Sequence, residues 1–91
     1  MAQHFNDQQK AKFVDDMRAT LIQRNTVVMP ILDELGNMVH RETYSSIKAE
    51  KTHQGQMRKL YETSLSSTAV KAAFFDSLKK NNPYLIEDLG G

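Results

Sequence analysis

The sequence predicts an all-α fold, a single antiparallel bundle of six helices. Apolar residues recur at spacings of three and four through most of the chain. Capping residues precede the apolar runs, breakers follow them, and no segment alternates apolar and polar residues as a half-buried strand does. A chain of 91 residues is long enough for one core. We expect a flexible tail over residues 1–6, the domain over residues 7–89 and a flexible end over residues 90–91.

The first predicted helix, residues 7–24, has the longest helical pattern in the chain. Phe13 and Leu21 lie on its apolar stripe, with charged residues on the other faces. Asn6 and Gln9 have the spacing of a capping box, in which each side chain bonds the other residue's backbone N–H. The helix therefore has both a defined start and a face to bury.

The pattern breaks at Asn25-Thr26, where we expect a kink, because Asn tolerates unusual backbone angles. A second helix over residues 27–36 follows. Proline is best tolerated in a first helical turn, so Pro30 indicates that the regular helix begins near it. Gly36 ends this helix.

Four shorter amphipathic helices complete the chain, at residues 41–50, 53–63, 68–80 and from Pro83 to Leu89. We expect Ser66 or Ser67 to cap the third of these and Asn82 to cap the last. The predicted core consists of Phe13, Leu21, Ile31, Leu32, Leu35, Ile47, Met57, Leu60, Phe74, Leu78 and Leu85.

The composition excludes several classes of function. The net charge of +1 is small for a dedicated nucleic-acid binder, and charges of both signs are well represented. No apolar run approaches the roughly 20 residues of a membrane span, and the N-terminus lacks the apolar segment of a secretory signal. The absence of cysteine excludes disulfides and thiol catalysis and is compatible with a reducing compartment. We therefore expect neither nucleic-acid nor membrane binding.

The sequence has little that could support catalysis. His4, His40 and His53 have no partner at the spacing of a metal ligand. The acidic pairs are adjacent residues, which point about 100° apart on a helix and do not share a site. No glycine-rich phosphate loop occurs. We predict no catalytic, cofactor-binding or metal site, and hence a protein that is not an enzyme.

Five segments in fixed order resemble a caspase recruitment domain (CARD) of the death-fold superfamily over about residues 12–89: FVDDMRATLIQR, ILDEL, the Tyr44 helix ending in KAE, QMRKLY and YLIEDL. The closest likeness is to the C-terminal domain of the apoptosis-associated speck-like inflammasome adaptor, and the CARD of an inflammasome sensor is a near rival. The resemblance implies a Greek-key bundle with a kinked first helix in a cytoplasmic protein. It also implies homotypic binding: self-assembly into filaments, and contacts with the CARD of an inflammatory caspase or of a sensor.

The main contact of this family pairs a basic surface on the first and fourth helices with an acidic surface on the second and third. By resemblance, Arg18 and Arg58 occupy the basic positions, with Lys59 adjacent. Asp33 occupies the acidic position, with Glu34 adjacent.

Tyr84 matches an aromatic residue that the family uses in a further contact. Elsewhere the chain departs from the adaptor's pattern. Val27 and Met29 stand where that domain is polar and acidic, Arg41 where it is acidic, and Asn25 where it is usually apolar. The segment SLSSTA replaces a longer loop that contains tryptophan. We therefore expect an acidic surface with fewer acidic residues than in the adaptor, and a different contact through this loop.

Alternatives remain open for the charged residues. Arg18 follows Asp15 by three positions, so an exposed intrahelical pair could explain it, at only about 0.2–0.5 kcal/mol. Arg58 and Lys59 are also what any solvated helix face carries. A small helical nucleic-acid-binding domain could use these three basic residues together with Arg24, although the near-neutral charge argues against it.

Overall fold

A computed structural model describes residues 5–91, and within that range it contains seven α-helices, one short 3-10 helix and no strand. The α-helices are α1 Asp7–Asp16, α2 Arg18–Arg24, α3 Met29–Leu35, α4 Arg41–Lys48, α5 His53–Thr63, α6 Thr68–Asn81 and α7 Pro83–Asp88, and the 3-10 helix spans Gly36–Met38. The all-α prediction is confirmed. All six predicted helices are present, and the first of them is divided into α1 and α2.

The predicted helix starts agree with the observed caps. The capping box before α1 is formed, with Asn6 Oδ1 accepting from the Gln9 N–H at 2.8 Å and Gln9 Oε1 accepting from the Asn6 N–H at 2.9 Å. Ser67 Oγ accepts from the Val70 N–H at 3.2 Å and so caps α6. Pro30 lies in the first turn of α3, as its missing N–H requires.

The predicted break at Asn25-Thr26 is present, because α2 ends at Arg24 and α3 begins at Met29. The first predicted helix is also kinked, as the resemblance implies, and that kink lies at Met17, between α1 and α2. Met17 departs from helical geometry, with φ −97° and ψ 16°, although its N–H still bonds the Phe13 carbonyl at 2.9 Å. The Tyr61 hydroxyl of α5 donates to the carbonyl oxygen of Val14 at 2.7 Å. In a regular helix that carbonyl accepts from residue 18. A side chain that competes for a helix carbonyl is a recognised cause of kinking.

Asn25 is completely buried, and its amide atoms are all hydrogen-bonded. Its Nδ2 donates to the Val27 carbonyl at 3.2 Å, and its Oδ1 accepts from Asn82 Nδ2 at 3.1 Å. A buried amide is tolerated when such bonds replace those to water. Asn82 occupies the N-cap position of α7 as predicted, but its side chain bonds Asn25 and makes no capping hydrogen bond.

The core lies around α6, which packs against α1, α3 and α7, while α5 packs against α2 and α4. All eleven predicted core residues are buried. Further buried apolar residues complete the core: Ala11, Val14, Ile22, Val28, Val39, Tyr61, Leu65, Ala72, Phe75 and Ile86. The Phe13 and Phe75 rings meet edge to face with centroids 5.2 Å apart, an arrangement favoured by the ring quadrupole.

The two ends of the described chain both contact this core. Residues 1–4 of the predicted tail lie outside the described residues, whereas the Phe5 ring lies 5.5 Å from that of Phe75. At the other end, the Gly91 N–H bonds the Ile86 carbonyl at 2.9 Å, and Gly90 adopts φ +86°. This is a Schellman cap, in which glycine occupies the left-handed position. The flexibility of residues 90–91 stays a prediction.

We expect Tyr61→Phe to destabilise the domain by about 1 kcal/mol, because it removes the buried hydrogen bond to Val14 and keeps the ring. For a domain of this size that corresponds to a fall in Tm of about 5 °C. Calorimetry measures it, with Tyr84→Phe as the matched control because the Tyr84 side chain is exposed. Equal Tm values for the two variants would show that the hydroxyl bond does not stabilise the kink.

Candidate interaction surfaces

Arg18 and Arg58, which are far apart in sequence, lie on one surface. Arg18 is the first residue of α2 and Arg58 lies in the middle of α5, and both are exposed. They line a shallow depression of about 490 Å³ whose other residues include Ala19 and Ile22. The packing of α2 against α5 therefore creates a basic surface, defined here as Arg18, Arg58 and this depression.

Tyr61 supports the guanidinium group of Arg18, whose central carbon lies 5.2 Å from the centre of the Tyr61 ring. This is the distance of a cation–π contact. Burial raises the pKa of Tyr61 far above its ordinary value, and Asp15 raises it further, while Arg18 opposes the shift. The hydroxyl is therefore protonated at physiological pH and remains the donor to Val14.

Two carboxylates line the same depression, and each is paired with a lysine. Asp15 lies 2.9 Å from the Lys71 ammonium group of α6, and Asp16 lies 2.6 Å from that of Lys12. The intrahelical pair between Asp15 and Arg18 is not formed. No ion pair to either arginine of the basic surface occurs within residues 5–91. Both arginines can therefore receive an acidic group from outside the chain.

Lys59 does not line the depression, although it follows Arg58 directly in α5. Its side chain is half-buried, and its carbonyl oxygen accepts from the Thr63 hydroxyl at 2.6 Å. Neighbouring helical residues point about 100° apart, so Lys59 lies beside the basic surface.

Asp33 is exposed on α3, and its carboxylate is held by the neighbouring helix. Its Oδ1 accepts a hydrogen bond from the Tyr44 hydroxyl of α4 at 2.8 Å. This bond and partial burial both raise the pKa of Tyr44 above its ordinary value. Asp33 is thus an exposed charge with one fixed oxygen.

Glu34 points towards α6 and not towards α4. Its two carboxylate oxygens accept from the Ser77 hydroxyl at 2.8 Å and from Asn81 Nδ2 at 3.1 Å, and Lys80 lies 3.6 Å away. The bonds from Ser77 and Asn81 lower the pKa of Glu34 below its ordinary value of 4.5. The structure therefore places the two predicted acidic residues side by side but ties them to different helices. Together they form the acidic surface.

Tyr84 stands apart from both charged surfaces. Its side chain is 83% exposed in the first turn of α7. It lines a second depression, of about 520 Å³, together with Arg24 and Asp88, which form an ion pair of 2.8 Å. An aromatic side chain that is this exposed has most of its apolar area available to another surface.

Sequence reasoning missed the residues that hold the predicted ones in place: Tyr44, Tyr61, Lys71 and Ser77. The roles of the two tyrosines could have been suspected from the sequence, because each lies on the inner stripe of its helix, where its hydroxyl group needs a hydrogen-bond partner. No sequence pattern indicates the roles of Lys71 and Ser77, because their partners are 56 and 43 residues away in sequence.

The residues where this chain departs from the adaptor's pattern are also located. Val27 and Met29 are half-buried beside the start of α3, and Arg41 is exposed as the first residue of α4. Ser64 and Leu65 of the shorter loop are buried. The acidic surface therefore has a basic residue near one edge and apolar residues near another.

Neither a metal cluster nor a membrane-crossing helix is found in the part of the chain that the structure describes. No three His, Asp or Glu side chains of residues 5–91 are arranged to hold a metal ion. No helix in that range is long and apolar enough to cross a bilayer.

An all-α bundle with charged surfaces of opposite sign has the features of a protein-interaction module. The family model of the caspase recruitment domain matches residues 11–91, and the chain belongs to that family. CARDs have the death fold and bind other CARDs, and they are interaction modules and not enzymes. The resemblance seen in the sequence is thus confirmed at the level of family and fold.

Two relatives show the same relationship over a short part of much longer proteins. The chain is 43% identical over 79 residues to the mouse "NACHT, LRR and PYD domains-containing protein 1b allele 3" and 44% identical over 79 residues to the rat "NACHT, LRR and PYD domains-containing protein 1a allele 1". Each match covers 85% of this chain but only 7% of the mouse protein and 6% of the rat protein.

The lowered pKa of Glu34 predicts a specific pH dependence of stability. The unfolded carboxyl group binds its proton at a higher pH than the folded one, so its stabilising contribution is present above pH 4.5 and is lost as the pH falls through the folded pKa. We expect Glu34→Gln to lower Tm at neutral pH, and we expect this difference to shrink as the pH falls below the pKa of the folded carboxyl group.

Thermal melts at closely spaced pH values measure this difference. Glu87→Gln on α7 is the control, an exposed carboxylate with no ion pair in residues 5–91. A Glu34→Gln deficit that is constant at all pH values would contradict the prediction.

Proposed function

We propose that this CARD assembles with copies of itself by inserting Asp33 of one copy into the basic surface of the next. The observation that carries the proposal is the pairing of Asp15 and Asp16 with lysines, which leaves Arg18 and Arg58 as the unneutralised charges of their depression. A carboxylate from a second copy supplies the missing partner.

The placement of the surfaces supports an open assembly. The basic surface lies between α2 and α5, whereas Asp33 lies on α3 and faces α4. A contact between two different patches is heterologous, and such a contact forms a ring only if its rotation closes. Otherwise each copy leaves one free surface of each sign, and the chain of copies continues as a helical filament.

The chemistry of the pair also favours a specific contact. Guanidinium groups bind carboxylates through two parallel hydrogen bonds, and arginine is enriched among the residues that dominate interfaces. Lys59 and Glu34 lie beside these residues and contribute at the rim. Tyr84, with its exposed ring, takes part in a further contact between copies.

The relatives favour the sensor alternative over the adaptor. Both carry NACHT and LRR domains by name, and the chain corresponds to a small part of each. We infer a cytoplasmic inflammasome protein in which this domain binds the CARD of an inflammatory caspase. A pull-down of purified CARDs tests the partner, with adaptor and caspase CARDs offered in competition.

Assembly of the isolated domain should depend on salt, because the contact is made by charges at the surface and salt screens them. We expect filaments by negative-stain electron microscopy, and a critical concentration that rises about tenfold from about 50 mM to about 500 mM salt. Sedimentation that remains monomeric at all salt concentrations and up to the highest soluble protein concentration would contradict self-assembly.

Reversing either charge should abolish assembly of the folded protein. In Arg58→Glu and in Asp33→Arg, like charges meet at every contact, at a cost of several kcal/mol. The critical concentration should rise by about 100-fold or more. Light scattering measures assembly, and circular dichroism reports folding.

Two further variants make this test specific. Lys51→Glu has the same charge change as Arg58→Glu at an exposed site outside both surfaces, and it should assemble normally. The double variant with both charges reversed should recover part of the assembly, since the pair is restored with opposite polarity. Normal assembly by a folded single variant would remove that residue from the contact.

A further inference from the structure

The carboxylate of Asp33 is more constrained than that of a typical exposed aspartate. Tyr44 packs its ring against the hydrophobic core, and its hydroxyl reaches out to Asp33 Oδ1 at 2.8 Å. The donor is therefore held by the packing of its half-buried ring against the core. No other side chain of residues 5–91 forms a hydrogen bond or an ion pair with this carboxylate.

Oδ1 is thus held by the Tyr44 hydroxyl but can accept a second hydrogen bond, and Oδ2 has no partner within residues 5–91, so both oxygens can still receive an arginine. An exposed side chain loses rotational freedom when it enters an interface, and that loss weakens binding. A carboxylate that is already held in one direction loses less. The Tyr44 hydroxyl is a neutral donor, so it fixes Asp33 without neutralising the charge that an arginine recognises.

We infer that Tyr44 is a positioning residue, which holds Asp33 in the orientation that the basic surface of another copy binds. The inference rests on the proposed function and adds a residue to it.

A dimer limited to one contact tests this inference. The acidic-face chain carries Arg58→Glu and retains Asp33. The basic-face chain carries Asp33→Ala and retains the arginines. Neither chain can extend the assembly, because the outward surfaces have no complementary charge. Mixing them should give one-to-one dimers, whose Kd is measured by NMR titration with one chain labelled.

Tyr44→Phe is then placed in one chain at a time. In the acidic-face chain we expect Kd to rise about three- to tenfold. In the basic-face chain Tyr44 lies away from the contact, and we expect no change. Asp33→Glu in the acidic-face chain is a second variant, which keeps the charge but moves the carboxylate by one methylene, and it should weaken binding similarly.

The outcomes separate the two proposals. If the acidic-face and basic-face chains that both retain Tyr44 fail to form a dimer, the charge contact is refuted, and the positioning role with it. A dimer that Tyr44→Phe and Asp33→Glu leave unchanged would refute the positioning role alone. An equal effect of Tyr44→Phe in both chains would show a general structural role and would also refute it.

Discussion

The burial of α6 is the constraint on which the rest of the fold depends. This helix is covered by α1, α3 and α7 and buries Phe74, Phe75 and Leu78. Its small or polar positions determine how closely the neighbours approach, as at Ser77, which is 5% exposed and bonds Glu34 of α3. Even its partly exposed Lys71 is bound to α1 through Asp15. The inner face of α6 is thus occupied by its neighbours, whereas its outer face remains exposed at Thr68, Ala69, Asp76, Lys79 and Lys80.

On the outer helices, ion pairs within the chain determine which charged side chains can still bind another molecule. Lys12 pairs with Asp16 and Lys71 pairs with Asp15, and neither carboxylate forms an ion pair with Arg18. Exposed pairs of this kind contribute little to stability, about 0.2–1 kcal/mol each. Their larger effect is on the local potential, since they determine which charge of the group is left to act outside the chain. The net charge of +1 is therefore a poor guide to the surface.

Local signals predicted most of the fold from sequence. The Asn6 capping box, Ser67 and Pro30 depend on backbone groups within three residues, and each was located correctly. The position of the kink within the first predicted helix had no local signal, because the Tyr61 hydroxyl that competes for the Val14 carbonyl is 47 positions away in sequence. For the same reason the bond that the Asn82 side chain makes to Asn25 was not predicted, since the two residues are 57 positions apart.

For the candidate site as well, the charged residues themselves could be predicted from the sequence, but their tertiary contacts could not. Family likeness identified Arg18, Arg58 and Asp33 as exposed charges, and all three are exposed. Which neighbours hold or neutralise them depends on helix packing, and helical periodicity contains no information about it. The tyrosine that each surface uses could be suspected from its inner-stripe position, but its partner could not be assigned.

The bond between Ser77 and Glu34 has a consequence for how such a domain can diverge. Replacing Glu34 by an apolar residue would leave the nearly buried Ser77 hydroxyl without its acceptor, at about 1–3 kcal/mol. A lineage that alters this acidic residue is therefore expected to change Ser77 at the same time, for example to alanine. The Asp33 side chain bonds only the half-exposed Tyr44 among residues 5–91, so Asp33 can be exchanged at little cost to folding. Of two adjacent surface residues, one is free to follow a changing partner and the other evolves with the core.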